Sequence, residues 1–162
     1  MNQYFTRSLP KPGPKLVLLA GLGGLVAIAC LRLMTDSAHL SLIMAPFGAS
    51  CVLLFAVPGS PLSQPTNVVG GHFIATLVGL LLRLWLPDVW WALALAVGLA
   101  IAAMVALRVT HPPAGADPLV VFATDPGFGF LILPVLSGSL LLVIFAVAYH
   151  RLSGQSYPRA GS

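Results

Sequence analysis

Two short segments combine polar side chains with prolines and glycines inside otherwise apolar stretches. The first is Pro46-Phe47-Gly48-Ala49-Ser50, and the second runs from His111 through two prolines to Asp117. An ionisable side chain at membrane depth is costly and usually functional. The imidazole of His111 could donate a hydrogen bond to an anion or pass a proton. Alternatively, it is a neutral side chain that caps a backbone carbonyl near the interface.

Asp117 complicates an anion site, because an ionised carboxylate repels anions. Either its carboxyl group is protonated when an anion passes, or it lies at the rim of the site, or it holds a cation that accompanies the anion; alternatively, it is a structural helix N-cap. Ser50 and Asn67 are neutral donors that suit an anion, or they satisfy loop backbone groups. His72 follows two glycines and faces the same cavity or a neighbouring helix. Arg108 lies just before the second segment, where it raises the local potential for anions or anchors a helix end.

These segments predict a substrate-binding site without catalytic residues. The sequence has no glutamate, no His-x-x-x-His pair, no Gly-x-Ser-x-Gly motif and no phosphate-binding loop. We therefore expect a protein that is not an enzyme and that needs no metal or cofactor. The predicted binding residues are Pro46, Phe47, Gly48, Ala49, Ser50, Asn67, His72, Arg108, His111, Pro113, Ala114, Gly115 and Asp117.

The composition indicates that the elements carrying these residues lie in a lipid bilayer. Of 162 residues, 58% are hydrophobic and 7% are charged, and the mean hydropathy is +0.97. Soluble domains carry roughly a quarter charged residues, so a soluble globular protein is excluded. The basic residues are scattered singly, so we expect no nucleic-acid partner. Cys30 and Cys51 lie in apolar runs and are predicted to be free thiols.

Four apolar runs have the length of about 20 residues that a membrane-spanning helix needs. They are 16–34, 68–86, 90–108 and 131–149. The runs 40–57 and 119–124 are shorter or interrupted by proline and glycine, and protein or a water-filled cavity must cover such irregular backbone. The predicted fold is an all-α polytopic membrane protein with four full transmembrane helices and two short broken or re-entrant helices.

Basic residues set the predicted orientation, because cytoplasmic tails and loops are enriched in lysine and arginine. Those that flank the first and last runs are Arg7, Lys11, Lys15, Arg151 and Arg159. Both tails, 1–14 and 152–162, are therefore predicted to be cytoplasmic, which requires an even number of crossings. Four crossings result if the short helices re-enter, and six result if they cross. The charges are compatible with both.

The two polar segments align with each other without gaps. Residues 46–56 and 113–123 share Pro, Gly, Ala, Phe and the final Ala at corresponding positions, and Ser50 aligns with Asp117. Each segment predicts a turn, an N-cap at the Ser or Asp, and a short helix. The chain is thus predicted to be one transmembrane domain, 1–162, with repeats at about 16–86 and 90–150. The alternative is that prolines kink two unrelated helices of one bundle.

The same residues resemble the signatures of a known family. Thr110-His111-Pro112-Pro113-Ala114-Gly115-Ala116 resembles the motif that names the HPP family of integral membrane proteins. Ala45–Ser50 and Ser60–His72 resemble its two other signatures. The resemblance covers about residues 15–150. It implies four membrane spans, a bacterial inner-membrane location and, from chloroplast and cyanobacterial members, transport of nitrite.

We expect a membrane transporter or channel that binds a small inorganic anion, nitrite first, at the N-termini of the two broken helices. The rival interpretation is a non-transporting accessory or sensor module. A transporter predicts a polar cavity lined by both repeats, whereas a scaffold predicts dry, packed segments. A homo-oligomer is expected, because so few embedded residues form a thin wall around a pathway. A ridge of small residues would let another helix, of this chain or of another subunit, approach closely: Ala94, Gly98, Ala102 and Ala106.

Overall fold

The computed structural model describes residue 7 and residues 10–159, so residues 1–6, 8, 9 and 160–162 of the two predicted tails lie outside the described part. Within that part the chain forms six α-helices and no β-strand, which confirms the predicted all-α class. The helices are α1 (Pro14–Ala38), α2 (Pro46–Ala56), α3 (Pro65–Trp85), α4 (Trp90–Ala106), α5 (Asp117–Thr124) and α6 (Ser137–Leu152).

Three helical stretches are long and apolar enough to cross a bilayer: α1, α3 and Phe128–Leu152, which contains α6. The third predicted span, 90–108, is the 17-residue helix α4, which falls short of that length. The fourth predicted span, 131–149, is interrupted near its start. Leu133 there is non-helical, with φ −127° and ψ 114°, because the ring of the following proline disfavours helical backbone in the preceding residue.

The two predicted N-caps are wrong. α2 begins at Pro46, and Ser50 lies inside the helix, where its hydroxyl donates to the carbonyl of Pro46. α5 begins at Asp117, whose side chain makes no capping hydrogen bond. Proline at the first or second position already fits both helix starts, because its missing N–H would have no helical acceptor there. The helices end where proline and glycine follow in the sequence, α2 at Ala56 before Pro58-Gly59 and α5 at Thr124 before Asp125-Pro126.

At one end of the bundle, both described ends of the chain come together. Tyr149 near the end of α6 donates from its hydroxyl to the carbonyl of Leu19 in α1, at 2.7 Å. Tyr157, beyond α6, donates to the carbonyl of Ser63 just before α3, at 2.9 Å. Burial raises the pKa of Tyr157, so this hydroxyl keeps its proton at neutral pH. The start of α1, the start of α3 and the end of α6 therefore share one end.

Contacts of α3 show which way the following helices run. Near its start, Asn67 donates to the carbonyl of Thr110, just after α4, at 2.9 Å. In its last turn, Arg83 pairs with Asp125, just after α5, at 3.0 Å. Positions 67 and 83 are 16 residues apart on α3, so these contacts lie about 24 Å apart at about 1.5 Å per residue. The segment 107–124 therefore passes from one end of the bundle to the other.

The segment 39–56 also passes through the bundle. It follows the far end of α1 and finishes beside Ser63, whose hydroxyl donates to the carbonyls of Leu53 and Val57. All six helices thus alternate in direction, and neither short helix re-enters on its own side. Of the two predicted arrangements, this geometry favours six passes and halves of inverted orientation.

The helix contacts of one half have counterparts in the other half. α1 packs on α2 and α6, α4 packs on α5 and α3, and α3 packs on α6. At the spacing that aligns the two polar segments, Gly71 of α3 corresponds to Gly138 of α6, and Val109 corresponds to Leu42. Gly71 lies against the carbonyl of Val109, and Gly138 against that of Leu42. In both halves, a glycine lets a helix approach the backbone of the other half.

α4 uses one face for packing within the chain and leaves the opposite face exposed. The buried positions are Ala92, Ala96, Ala100 and Met104. The predicted small-residue ridge is exposed at every position: Ala94, Gly98, Ala102 and Ala106. The ridge therefore receives no helix from the described part of the chain.

Candidate functional site

Four polar side chains meet in a buried cluster between α2, α3 and the start of α5. Ser50, His72, His111 and Asp117 are each 0% exposed. The hydroxyl oxygen of Ser50 lies 2.8 Å from Nε2 of His72 and 3.0 Å from Nε2 of His111. Nδ1 of His72 lies 2.8 Å from Oδ2 of Asp117. These four residues, called the polar cluster below, form one continuous hydrogen-bonded chain that joins both halves of the molecule.

The local sequence explains how the cluster is assembled. His72 and Thr76 are four positions apart on α3, so both side chains lie on the face that meets α5. Gly71 lets the backbone before His111 approach α3, because a Cβ at this position would lie 2.6 Å from the Cβ of His111. His111 itself is extended, with φ −135° and ψ 103°, as expected for a residue before proline.

The two ends of the cluster have different partners. Thr76 donates from its hydroxyl to Oδ2 of Asp117 at 3.1 Å, whereas Oδ1 of Asp117 is buried without a hydrogen-bond partner among the described residues. At the other end, Nδ1 of His111 donates to the carbonyl of Leu62 at 2.8 Å. The ring of Phe47 packs edge-on against His72, with centroids 5.2 Å apart. Asp117 forms no ion pair with a described lysine or arginine.

Part of the cluster is arranged like a hydrolytic triad, in which a histidine lies between the nucleophile and an acid. Here His72 lies between Ser50 and Asp117. Two features differ from such a site. The Ser50 hydroxyl is shared with a second histidine and with the carbonyl of Pro46. It is also 0% exposed, and it lines neither the cavity of about 780 Å³ between the short helices nor the one of about 340 Å³ against α1. The Ser50 hydroxyl is therefore one member of a buried chain of hydrogen bonds and is not accessible in this conformation.

A cavity of about 780 Å³ lies beside the polar cluster, between the two short helices. Both halves line it, as a transporter predicts, but the lining is apolar. The lining residues are Ala45, Pro46, Ala49, Val52, Leu53, Pro112, Pro113, Ala116, Leu119 and Val120. The polar cluster is sealed from this cavity, as the scaffold interpretation predicts. The predicted polar cavity is thus not present in this conformation of the described residues.

Three of the N–H groups at the two helix starts are hydrogen-bonded within the chain. Phe47 and Gly48, at the start of α2, donate to the carbonyls of Met44 and Ala45 at 3.1 and 3.2 Å. The N–H of Asp117, at the start of α5, donates to the carbonyl of Ala114. An anion bound by any of these three N–H groups would have to displace its hydrogen bond.

The structure brings together some of the predicted binding residues and separates others. Ser50, His72, His111 and Asp117 form the polar cluster, and Phe47 packs on it. Three line the cavity: Pro46, Ala49 and Pro113. The other five lie elsewhere. Gly48 lines a second cavity against α1, Asn67 donates to the carbonyl of Thr110, and Ala114 is buried against α3 and α4. Gly115 and Arg108 lie outside the polar cluster.

Thr76 and the carbonyl of Leu62 were missed by the sequence analysis. Thr76 has a sequence signal, since it is a lone hydroxyl within an apolar span, four positions after His72. The carbonyl of Leu62 has none, because every residue carries a carbonyl group and only the folded backbone selects the one that meets His111.

Comparisons with known proteins agree with the membrane character of the chain. The family model described as HPP, transmembrane region, matches residues 9–158. A transmembrane protein of Dictyostelium discoideum is 35% identical over 150 residues, which are 86% of this chain and 53% of that protein. A second one from the same organism is 38% identical over 125 residues, which are 72% and 40% of the two chains. This chain thus spans about half the length of these relatives. No solved structure matches it.

Proposed function

Because this chain belongs to the HPP family of transmembrane proteins, we propose that it is a transporter or channel for a small inorganic anion such as nitrite. The observation that carries this proposal is the convergence of the two broken segments. Both halves contribute to one cavity of about 780 Å³ and to one buried pair of histidines. Short, interrupted helices that meet at the interface of two inverted halves are typical of transporter binding sites.

Passage of an anion requires a second conformation, because this one is closed. Pro46 on one side and Pro113 on the other lie between the cavity and the polar cluster. When α2 separates from the segment 112–116, the hydroxyl of Ser50 and the imidazole of His111 face the cavity and replace part of the anion's hydration. Inverted halves favour this mechanism, since rocking of one half against the other alternates access to a shared site.

The test is nitrite flux into liposomes that contain the purified chain, at alkaline pH, where little nitrous acid crosses the lipid unaided. We expect protein-dependent flux that falls at least tenfold in His111→Ala. His39→Asn is the matched control, because His39 is exposed at the end of α1 with φ 53°, a conformation that asparagine tolerates. It should keep the wild-type flux.

Flux equal to that of empty liposomes would contradict nitrite as the substrate and favour the accessory or sensor module. Its supporting observation is the sealed, packed state of the polar cluster. Normal flux in His111→Ala would place the pathway away from the cluster.

A membrane-embedded hydrolase is the second candidate, supported only by the order of Ser50, His72 and Asp117. The burial of Ser50 argues against it. A fluorophosphonate probe that reacts with activated serines distinguishes the two, since we expect no labelling. Labelling that disappears in Ser50→Ala would establish a nucleophile instead.

A further inference from the structure

The partners of the polar cluster fix where its hydrogen atoms lie. The carbonyl of Leu62 can only accept, so Nδ1 of His111 carries a proton. If Asp117 is ionised, it too can only accept, and Nδ1 of His72 then carries a proton. When both imidazoles are neutral, each Nε2 is an acceptor, and both face the oxygen of Ser50.

In that state the cluster is short of one hydrogen atom. Ser50 has a single hydroxyl proton, but two imidazole nitrogens and the carbonyl of Pro46, at 3.3 Å, compete for it. One of the short nitrogen–oxygen contacts is then left without a proton. The cluster also carries one uncompensated negative charge at 0% exposure, on a carboxylate whose Oδ1 has no partner among the described residues. Both features are costly in a buried site.

One added proton removes both costs. With His72 doubly protonated, its Nε2 donates to Ser50, and the Ser50 hydroxyl donates to Nε2 of His111. The positive imidazolium faces the carboxylate of Asp117 at 2.8 Å, so the cluster is neutral and every short contact has one donor and one acceptor. A proton on Asp117 instead gives the same count, because the carboxyl then donates to Nδ1 of His72.

We propose that the polar cluster is a binding site for one exchangeable proton, which the Ser50 hydroxyl passes between the two histidines. In the transfer, the Nε2–H bond of His72 breaks and an O–H bond forms on Ser50. The original hydroxyl proton of Ser50 leaves for Nε2 of His111, where a new N–H bond forms. No other reactant is needed, and the positive charge moves from one half of the molecule to the other.

No other ionisable side chain of the packed elements named below bonds to the polar cluster, so an added proton is held by the cluster itself. α2 contributes Ser50 and the apolar ring of Phe47, and α3 contributes His72 and Thr76. The segment 111–117 contributes His111 and Asp117. α4 meets this region with Ala100 and Met104, and the ionisable His150 of α6 bonds to Leu54 instead. These hydrogen-bond partners accommodate one added proton whether or not nitrite is the transported anion.

The experiment is ¹⁵N NMR of the full chain labelled at histidine, in lipid, over the range from about pH 5 to pH 8 in which histidines titrate. Ring nitrogen shifts report protonation directly. We expect His72 and His111 to share one midpoint and together gain about one proton, as a coupled pair does. Exposed His39 is the internal control, because it lies at the end of α1, outside the polar cluster.

Two variants separate binding from transfer. Ser50→Ala should abolish the common midpoint, because the histidines lose the hydroxyl that links them. Asp117→Asn should abolish proton uptake in this range, because the occupied cluster would then carry a net positive charge. Separate midpoints in the wild type, uptake of two protons, or no change at either histidine would each overturn the proposal. The signal of buried His150 shows whether a variant folds. If a variant does not fold, the wild-type titration by itself decides whether the two histidines share one proton.

Discussion

His72 joins the two halves of the molecule through its two ring nitrogens. One contacts Ser50 and the other contacts Asp117, two residues that occupy the same position in the aligned segments. A single imidazole therefore holds together the equivalent points of both halves. Its place depends on the neighbouring Gly71, because only a residue without a Cβ lets His111 come this close to α3.

Replacing Gly71 with alanine should destabilise the protein by about 1–3 kcal/mol, the usual range for overpacking a core. The added Cβ would lie 2.6 Å from the Cβ of His111 and 3.0 Å from the carbonyl oxygen of Val109, so the His-Pro-Pro segment must move. Thermal unfolding in detergent measures the effect. Gly21→Ala in α1 is the control, since nothing lies within 4 Å of its Cβ position. Equal melting temperatures for both variants would contradict the close contact.

At the scale of the elements, each short helix forms only the second part of a pass through the bundle. The first part of the pass is extended or tightly turned chain. α2 has 11 residues and α5 has 8, which give only about 16 and 12 Å at about 1.5 Å per residue. The residues before each helix supply the remaining depth. Irregular backbone at this depth is tolerated because α3 and the opposite short helix cover it.

The alternating directions predict which loops face which side. With cytoplasmic tails, single cysteines at Pro61 and Asp88 should be labelled from the cytoplasmic and the outer side, respectively; re-entrant helices would reverse both results. Gly127→Cys is the control, because it faces outward in either arrangement. Pro61, Asp88 and Gly127 are exposed. The free Cys30 and Cys51 are first replaced by alanine, and a membrane-impermeant maleimide reads out accessibility in oriented vesicles.

At the scale of the whole molecule, one apolar face of α4 packs against no other helix of the described part of the chain. The small residues of α4 are exposed opposite its buried face. Small residues without a partner in the chain suit close packing of a second helix in the membrane. A homo-oligomer through α4 would bury this face and thicken the wall around the polar cluster.

Cysteine cross-linking tests this interface. In a background without Cys30 and Cys51, Gly98→Cys should form a disulfide-linked dimer in the membrane on mild oxidation. Leu25→Cys is the control, because Leu25 is 64% exposed on α1, away from the ridge. Dimers at position 25 but not at position 98 would place the contact on another face.

The sequence alone determined the class of the fold and singled out the four residues that meet in the polar cluster. Apolar runs and few charges require helices in a bilayer, because a bilayer leaves backbone groups no partner outside the chain. Pro-Gly segments with buried polar side chains marked Ser50, His111 and Asp117 as residues that must find partners. The aligned segments predicted two related halves, and the paired packing of Gly71 and Gly138 is what such halves would show.

The arrangement of the helices and the hydrogen bonds of the polar cluster were decided by the tertiary structure. Both depend on contacts between residues far apart in the chain. The preference for six passes over four rests on pairs such as Arg83 with Asp125, since charge counts are the same for both topologies. The N-caps were wrong because Ser50 and Asp117 bond to His72 across the bundle, and no local pattern contains that partner. Hydrogen-bond chemistry of the cluster likewise follows from three-dimensional proximity, which sequence spacing cannot specify.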